Sequence, residues 1–318
     1  MKIMNNLIFQ YKKKYFICLL IFTVFLTILS FMTFYNLAIA KPATQNSTLE
    51  NFKRNDSKPA SCHCVAFRLD DVQDYELTKP QIAVMNLFKE KNLSLTVGII
   101  GNNISKGERL VSSYIKERID TSHNNKSKDS IEIANHSWNH EHFLNLSIDE
   151  QYDSIKKTNE KIKKLFEINP IVFIPPYDKF NNDTILAVVK NNMKFFSADT
   201  SDHDIYSAGS NDTIYHFPET AITGGCTNCA SDFKNASWYG VSHEKTMNQI
   251  NKSLGNYGYA VVLMHPDEYS LGHEEWNSQN AIDWKQMEEL NLLVSKIQEE
   301  GLQIVTIGDI IKHFSIYN

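Results

Sequence analysis

Two histidines, His136 and His140, close the stretch Ile131-Glu132-Ile133-Ala134-Asn135-His136-Ser137-Trp138-Asn139-His140. It reads as a short buried strand that runs into a histidine pair. On one helical turn, positions i and i+4 share a face. Two imidazoles so placed close on one metal ion, the spacing of zinc-binding helices. With 11 His in the chain, such a spacing alone arises readily by chance. A second acidic pair, Asp70-Asp71, at the end of another apolar run adds to it. One aspartate and two histidines give three ligands and leave the remaining coordination open, the pattern of a catalytic site. The ion would lower the pKa of a bound water towards ~7 and polarise a carbonyl. A carboxylate beside it can take the water's proton, and a histidine opposite can protonate the leaving group. Together these groups hydrolyse an amide or ester.

The elements that must position these residues alternate between apolar strands and amphipathic helices. Strands are expected at residues 64–69, 93–100, 131–134, 171–174, 194–198, 213–217, 259–264 and 303–305. Helices are expected at 77–91, 109–119, 149–166, 183–190, 244–254, 283–300 and 307–314. Strand–helix alternation implies a parallel sheet covered by helices. The expected fold is α/β, a distorted (β/α) barrel of about seven parallel strands, with residues 106–128 and 200–239 as loops over one face. In barrels the strand-to-helix loops gather at the C-terminal strand ends. Asp70-Asp71, His136 and His140, Pro175-Pro176-Tyr177-Asp178, Asp199 and Asp202, and His265 each follow a separate strand. A helix cap or a core histidine explains any one of them, but five strands delivering such residues to one rim indicate a site.

The chain has 318 residues, with 42% hydrophobic and 22% charged, as globular proteins do. Its net charge of -5, without a Lys/Arg stripe, gives no case for nucleic-acid binding. Residues 15–40 are almost wholly apolar and follow Lys12, Lys13 and Lys14. That length spans a bilayer, and the lysines belong on the cytoplasmic side. Residues 1–14 are therefore expected as a cytoplasmic basic segment and 15–40 as a transmembrane anchor. The alternative is a signal peptide cleaved after Ala40. Residues 41–60 form a polar linker and 61–318 the folded domain, outside the cytoplasm on either reading.

Of the cysteines, Cys18 lies in the apolar run, and the rest form two short pairs, Cys62-x-Cys64 and Cys226-x-x-Cys229. In an oxidising compartment these are disulfide candidates. Cys-x-Cys neighbours rarely close on each other, so the two segments are expected to cross-link; a zinc site of four thiolates is the alternative. Asn-x-Ser/Thr sequons recur, for example at Asn46, Asn92, Asn145 and Asn235, as on a glycosylated surface protein.

The polar motifs, in this order, resemble the polysaccharide deacetylases with the NodB homology domain, carbohydrate esterase family 4. The family's Thr-Phe-Asp-Asp-Gly motif is similar to Arg68-Leu69-Asp70-Asp71-Val72. Its His-Ser/Thr-x-x-His motif is similar to His136-Ser137-Trp138-Asn139-His140. Its Arg-Pro-Pro-Tyr motif matches Ile174-Pro175-Pro176-Tyr177, and its Leu-x-His motif matches Leu263-Met264-His265. Its Asp-x-x-Asp-Trp segment is met only loosely by Asp199-Thr200-Ser201-Asp202-His203. The resemblance covers the chain from about Cys64 to the C-terminus. It implies Asp71, His136 and His140 as ligands of one divalent metal ion, zinc, cobalt or another transition metal. It implies Asp70 as general base and His265 as general acid. Leu263 would line the acetyl pocket, Tyr177 beside Pro176 would hold the oxyanion through its backbone N–H, and Asp199 or Asp202 would orient His265.

Two departures matter. The family arginine that orients the base aspartate is Ile174 here, and the first-motif threonine is Arg68. Arg68 lies two residues before Asp70, on the same side of the strand, where its guanidinium can support the carboxylate. The resemblance implies an extracytoplasmic, membrane-tethered N-deacetylase acting on an acetylated surface glycan. An O-acetyl esterase and a non-catalytic sugar-binding protein of the same fold are the alternatives.

Overall fold

A computed structural model describes residues 62–125, 130–199, 205–207, 213–227, 237–272 and 280–314. The expected anchor and linker, Asp202 and Cys229 lie outside these residues. Among the described residues, no helix is long and apolar enough to cross a membrane.

In chain order the elements are β1 (Cys64–Val72), α1 (Thr78–Glu90), β2 (Leu95–Ile99), α2 (Leu110–Asn125), β3 (Ile131–Asn135), α3 (Ile148–Phe166), β4 (Val172–Phe173), α4 (Asn182–Lys190), β5 (Phe195–Phe196), β6 (Ile205–Ser207), β7 (Thr213–His216), β8 (Ala221–Ile222), β9 (Gly224–Thr227), β10 (Ser237–Gly240), α5 (His243–Tyr257), β11 (Tyr259–Met264), α6 (Trp284–Glu299), β12 (Gln303–Val305) and α7 (Ile310–Phe314). The main sheet runs β6-β7-β5-β4-β3-β2-β1-β11-β8, with β12 also paired to β1. From β7 to β8 every neighbouring pair is parallel, and β6 joins antiparallel to β7.

The expected barrel is thus realised as a curled, open parallel sheet. β4, β5 and β8 are only two residues each. Residues 200–239, expected as loops, contribute β6 to β8 and a separate antiparallel hairpin of β9 and β10. These short pieces stand where a full strand-helix unit would otherwise continue the ring.

Alternation along β1 divides the core. Val65, Phe67 and Leu69 pack with Val97, Ile99, Val262 and Met264 against residues of α1, α5 and α6. Cys64 and Ala66 face the other way, with Ala134, Val172, Ile174, Val261 and Val305, inside the curl. Strands covered on both faces read as continuous apolar runs, as β1 and β11 do. The polar exceptions on the inner face of β1 are Arg68, which is 0% exposed, and Asp70 beyond it.

Helix ends follow local sequence. Ser147 caps α3 in a capping box with Glu150, and Asn181 caps α4 through Thr184. Gly258, at φ 76°, ends α5 and turns the chain directly into β11.

The expected cross-link between the two cysteine segments is not formed. Cys62 and Cys64 are joined to each other, with Cα atoms 5.2 Å apart. An extended strand would hold i and i+2 roughly 6.6 Å apart, at the far end of the usual disulfide separation and with the Cβ atoms less well aimed. His63 adopts φ 46°, and this left-handed turn just before β1 closes the gap. Cys226 is also in a disulfide, separate from that pair.

Candidate active site

In a regular strand Asp70 and Asp71 would point to opposite faces. A bulge prevents this. Leu69 pairs with Val97 but Val72 pairs with Ile99, so three steps of β1 oppose two of β2. Asp71 takes φ 58° at this point. Bulges re-aim side chains beside active sites, and here both carboxylates reach one cleft. Gly98 lies in β2 opposite the bulge. A Cβ at Gly98 would sit 3.3 Å from Asp70 Oδ1, 3.3 Å from Ile174 Cδ1 and 3.4 Å from His136 Cβ. Glycine therefore keeps the cleft floor clear.

His136 and His140 converge without the expected helical turn. The segment is a loop, with Ser137 at φ 64° and His140 at φ 58°. Its backbone groups bond outward: Ser137 C=O accepts from Gly101 N–H and Trp138 C=O from Asn102 N–H. Ser137 N–H donates to Asn135 Oδ1, and Trp138 N–H to Ser154 Oγ. The loop nevertheless brings His136 Nε2 to 3.2 Å and His140 Nε2 to 3.1 Å from the same atom, Asp71 Oδ1.

These atoms fit a cation. His136 Nδ1 lies 2.9 Å from the Ile174 carbonyl, which only accepts, so Nδ1 carries the hydrogen and Nε2 presents a lone pair. Asp71 Oδ1 is buried without a hydrogen-bond partner. An imidazole lone pair and a carboxylate oxygen do not sit at this distance without a shared proton or a positive ion. Two nitrogens and one oxygen are a zinc-type donor set, and the carbonyl behind His136 fixes its tautomer as metal-site partners do. Where the rings carry a proton in place of an ion, burial pushes Asp71 up, but His140 and His136 outweigh it and hold the carboxyl well below its ordinary range.

Asp70 is held from within the curl. Arg68 Nη2 donates to Asp70 Oδ2 at 2.9 Å and to Asp178 Oδ1 at 2.6 Å. Its Nη1 donates to the Ser197 carbonyl and hydroxyl, both at 2.9 Å. Burial opposes the guanidinium's charge, but Asp178, Asp70 and Glu219 outweigh it and raise its pKa. One Asp70 oxygen is thereby tied, while Oδ1 stays buried and unpartnered. Ile174, where the resemblance puts an arginine, borders with its side chain the same space over Gly98 that this oxygen borders. Asp178 reaches Arg68 from a turn in which Tyr177 and Asp178 adopt φ 58° and 54°, each costing about 1 kcal/mol or more. Tyr177 sets its ring 4.6 Å from that of His140 and stacks on His142. Pro176 is buried at the start of the turn.

His265 follows β11, whose register places Met264 beside Leu69. His265 is therefore level with Asp70 on the adjacent strand. Leu263, two residues earlier, pairs with Arg68 and is 8% exposed. The partner of His265 is Glu268, with Oε1 3.2 Å from Nδ1. Asp199, expected in that role, instead faces Lys179 at 3.6 Å. β5 ends at Phe196, and Asp199 sits on the partly exposed rim beyond it. Glu268 was missed in the sequence, although a carboxylate three residues after His265, just behind a proline, has capping-box spacing. Trp238, on the hairpin, covers His265 with ring centroids 4.9 Å apart. Glu219 also enters the cleft. Burial first, then Asp178, raises it to about 8, against the pull of Arg68.

A second His-Glu cluster, His243, Glu244 and Glu289, lies elsewhere among the described residues. His243 offers both its backbone N–H and its Nδ1 to Glu289 Oε2, at 2.8 and 2.7 Å, which anchors the start of α5 to α6.

A sequence model described as polysaccharide deacetylase matches residues 57–196, which carry Asp70, Asp71, His136, His140 and Tyr177. Residues 57–196, somewhat under half of the chain, are thus similar to the polysaccharide deacetylases. A peptidoglycan-N-acetylglucosamine deacetylase of Bacillus cereus is 27% identical over 173 residues, 54% of this chain and 56% of that protein. The chain spans about half or less of the curated relatives it matches. Among solved structures, a family 4 acetyl xylan esterase from Clostridium thermocellum, in complex with a cobalt ion, has a TM-score of 0.50 at 17% identity. That match covers 78% of this chain and 90% of the esterase. A CE4 family pseudoenzyme from Bacillus anthracis has a TM-score of 0.51 at 17% identity, covering 80% of this chain and 66% of the other. These likenesses concern the fold. At such coverage the shared fold reaches beyond residues 57–196.

Proposed function

We propose that this chain is a metal-dependent deacetylase that removes N-acetyl groups from sugars of an extracellular or cell-surface polysaccharide. The observation that carries the reading is the convergence of His136 Nε2 and His140 Nε2 on the unpartnered Asp71 Oδ1, beside a second carboxylate with one free oxygen. Asp71, His136 and His140 would hold one divalent ion, zinc in the first place. The cobalt in the acetyl xylan esterase makes cobalt a second candidate, and affinity order alone does not choose between them. When bound, the ion activates a water and polarises the acetyl carbonyl.

The protein's own groups do the rest. Asp70, pinned through Oδ2 by Arg68, takes the water's proton on Oδ1 as the oxygen attacks the acetyl carbon. The Tyr177 N–H, in the turn after Pro176, faces the oxyanion, and Leu263 lines the methyl pocket. His265 has Nδ1 engaged by Glu268, and Nε2 remains to protonate the sugar nitrogen. The carbon–nitrogen bond breaks, and acetate and a free amine leave. Burial opposes a charged ring at His265, but Glu268, Asp71 and Asp70 outweigh it and raise the ring to about 10. The acid is therefore loaded at neutral pH.

The apolar residues 15–40 behind three lysines support a tether to the membrane with the domain outside, and the disulfides fit that location. The acetyl xylan esterase among the structural relatives keeps O-deacetylation as a second reading. Ile174 in place of the family arginine favours a non-catalytic sugar binder, but Arg68 on Asp70 supplies the missing cation. The test is acetate release from chitin oligomers, peptidoglycan fragments and O-acetylated xylan, with and without chelator. Chelator-sensitive release from an N-acetylated glycan is expected. Release from xylan alone would favour the esterase, and none from any glycan by metal-loaded protein would favour the binder.

A further inference from the structure

The acid side of the cleft contains more structure than a helix cap requires. After His265 the chain forms a short turn, Pro266–Tyr269, whose first main-chain donor is satisfied when His265 N–H reaches Glu268 Oε1 at 3.2 Å. That contact alone would be an ordinary capping box. The same oxygen, however, also meets His265 Nδ1 at 3.2 Å. The other oxygen, Oε2, accepts from Thr223 Oγ1 at 2.7 Å. Thr223 Oγ1 in turn accepts from Tyr269 Oη at 2.9 Å, and the Thr223 carbonyl accepts from Gln286 Nε2 at 2.8 Å. Glu268, Thr223 and Tyr269 are all buried. The space for the carboxylate comes from Gly224, where a Cβ would lie 2.6 Å from both Cγ and Cδ of Glu268. A fully buried carboxylate is expensive unless both oxygens are satisfied and a cation is near. Here both oxygens are satisfied, and the cation within reach is the His265 ring.

We propose that Glu268, clamped by Thr223 and Tyr269, is the positioning residue that fixes His265 through Nδ1 and turns Nε2 towards the reacting nitrogen. The inference rests on the deacetylase reading only for the ring's role as acid; the contact stands without it. The geometry explains why the carboxylate comes from the turn just after His265 and not from the rim at Asp199. It also gives the hairpin a role, since β9 starts at Gly224 and β10 places Trp238 over the ring. Other charged groups face His265, namely Asp71 and Asp70 from β1, Glu219 from the β7–β8 loop, and Asp267. Glu268 is distinguished from them by a direct hydrogen bond to the ring.

The test uses the full chain loaded with zinc, as wild type, Glu268→Gln and Thr223→Val. The His265 ring is titrated by NMR, and kcat and KM are measured on chitin oligomers. Glu268→Gln is expected to lower the ring's midpoint by ~1 pH unit or more. It should cut kcat about 10- to 100-fold, as loss of an orienting partner does, with KM nearly unchanged. Thr223→Val keeps the carboxylate but frees Oε2, so it should shift the midpoint the same way by less, and it serves as the second reading if Glu268→Gln does not fold. Unchanged midpoints in the folded variants would overturn the proposal, because loss of a turn cap alone does not move a ring titration. If the midpoint falls while wild type releases no acetate from any glycan, the positioning role stands and the N-deacetylase reading fails.

Discussion

The two sides of the cleft are held by different means. On the base side, Asp70 is gripped by a fully buried arginine that also reaches Asp178 and the Ser197 backbone, an ionic knot inside the curled sheet. On the acid side, His265 is held by a carboxylate anchored through hydroxyl groups, with a tryptophan from a small hairpin over it. Apart from Ser197 just after β5, the base side lies within the matched residues 57–196, and the acid side lies beyond them. The difference shows how one cleft can be assembled from one half held by buried charge and another held by hydrogen-bonded hydroxyls. An ionic knot fails abruptly when one member is removed, while a hydrogen-bonded clamp degrades in steps.

The largest expected effects separate the halves by what they hold. Asp71→Asn or His136→Ala should remove metal binding and reduce acetate release to background, measured by metal content and acetate assay. Asp70→Asn should keep the metal and cost about 10²- to 10⁴-fold in kcat, the range for loss of a general base. If it keeps full activity, the base side has been misread. Arg68→Met should destabilise the fold by about 3–5 kcal/mol, because it leaves buried carboxylates without their cation; urea unfolding measures this. Adding Ile174→Arg to Arg68→Met should recover part of both stability and activity, since the side chain at 174 and Asp70 Oδ1 both border the space over Gly98. No recovery in a folded double variant would mean that the support cannot move between these strands.

The acid side predicts a pH limb. His265 must carry its proton to act, so the rate should fall as pH rises through about 10. A rate that keeps rising past that point would remove His265 from the acid role. The smallest effect lies far from both sides. Glu132 accepts from Thr96 Oγ1 and from Gly308 N–H, so that β3 holds the C-terminal turn. Burial raises it from 4.5 to about 7 despite the Gly308 contact. A raised carboxyl stabilises the fold through its bound proton, fully below 4.5 and not above about 7. Thermal stability should therefore decline modestly across that interval, and Glu132→Gln should flatten the decline in a melting series.

The same contrast governed what the sequence revealed. The strand pattern, the rim and the residues Asp70, Asp71, His136, His140 and His265 were legible because each follows a recognisable apolar run. The β-bulge at Asp71 and the left-handed turns at Ser137, His140 and Tyr177 were not, because non-glycine residues at positive φ leave no compositional mark. His136 and His140 were read on a helix, since i, i+4 spacing looks the same on a loop folded by outside partners. The Cys62–Cys64 bridge was missed for a similar reason, as it depends on the backbone of His63. Arg68 was legible from period two once the resemblance showed the usual arginine replaced by Ile174. Glu268 and Thr223 were not, because their partnership spans 45 residues and meets only when the parallel sheet is formed.

The central claim is that Asp71, His136 and His140 form a metal centre between Asp70 and His265. Anomalous diffraction at the zinc edge from zinc-soaked crystals tests it most directly. The account predicts a peak bonded to Asp71 Oδ1, His136 Nε2 and His140 Nε2 at about 2.0–2.2 Å. A peak at His243, Glu244 and Glu289 with none at Asp71 would contradict it, as would no bound zinc at either cluster.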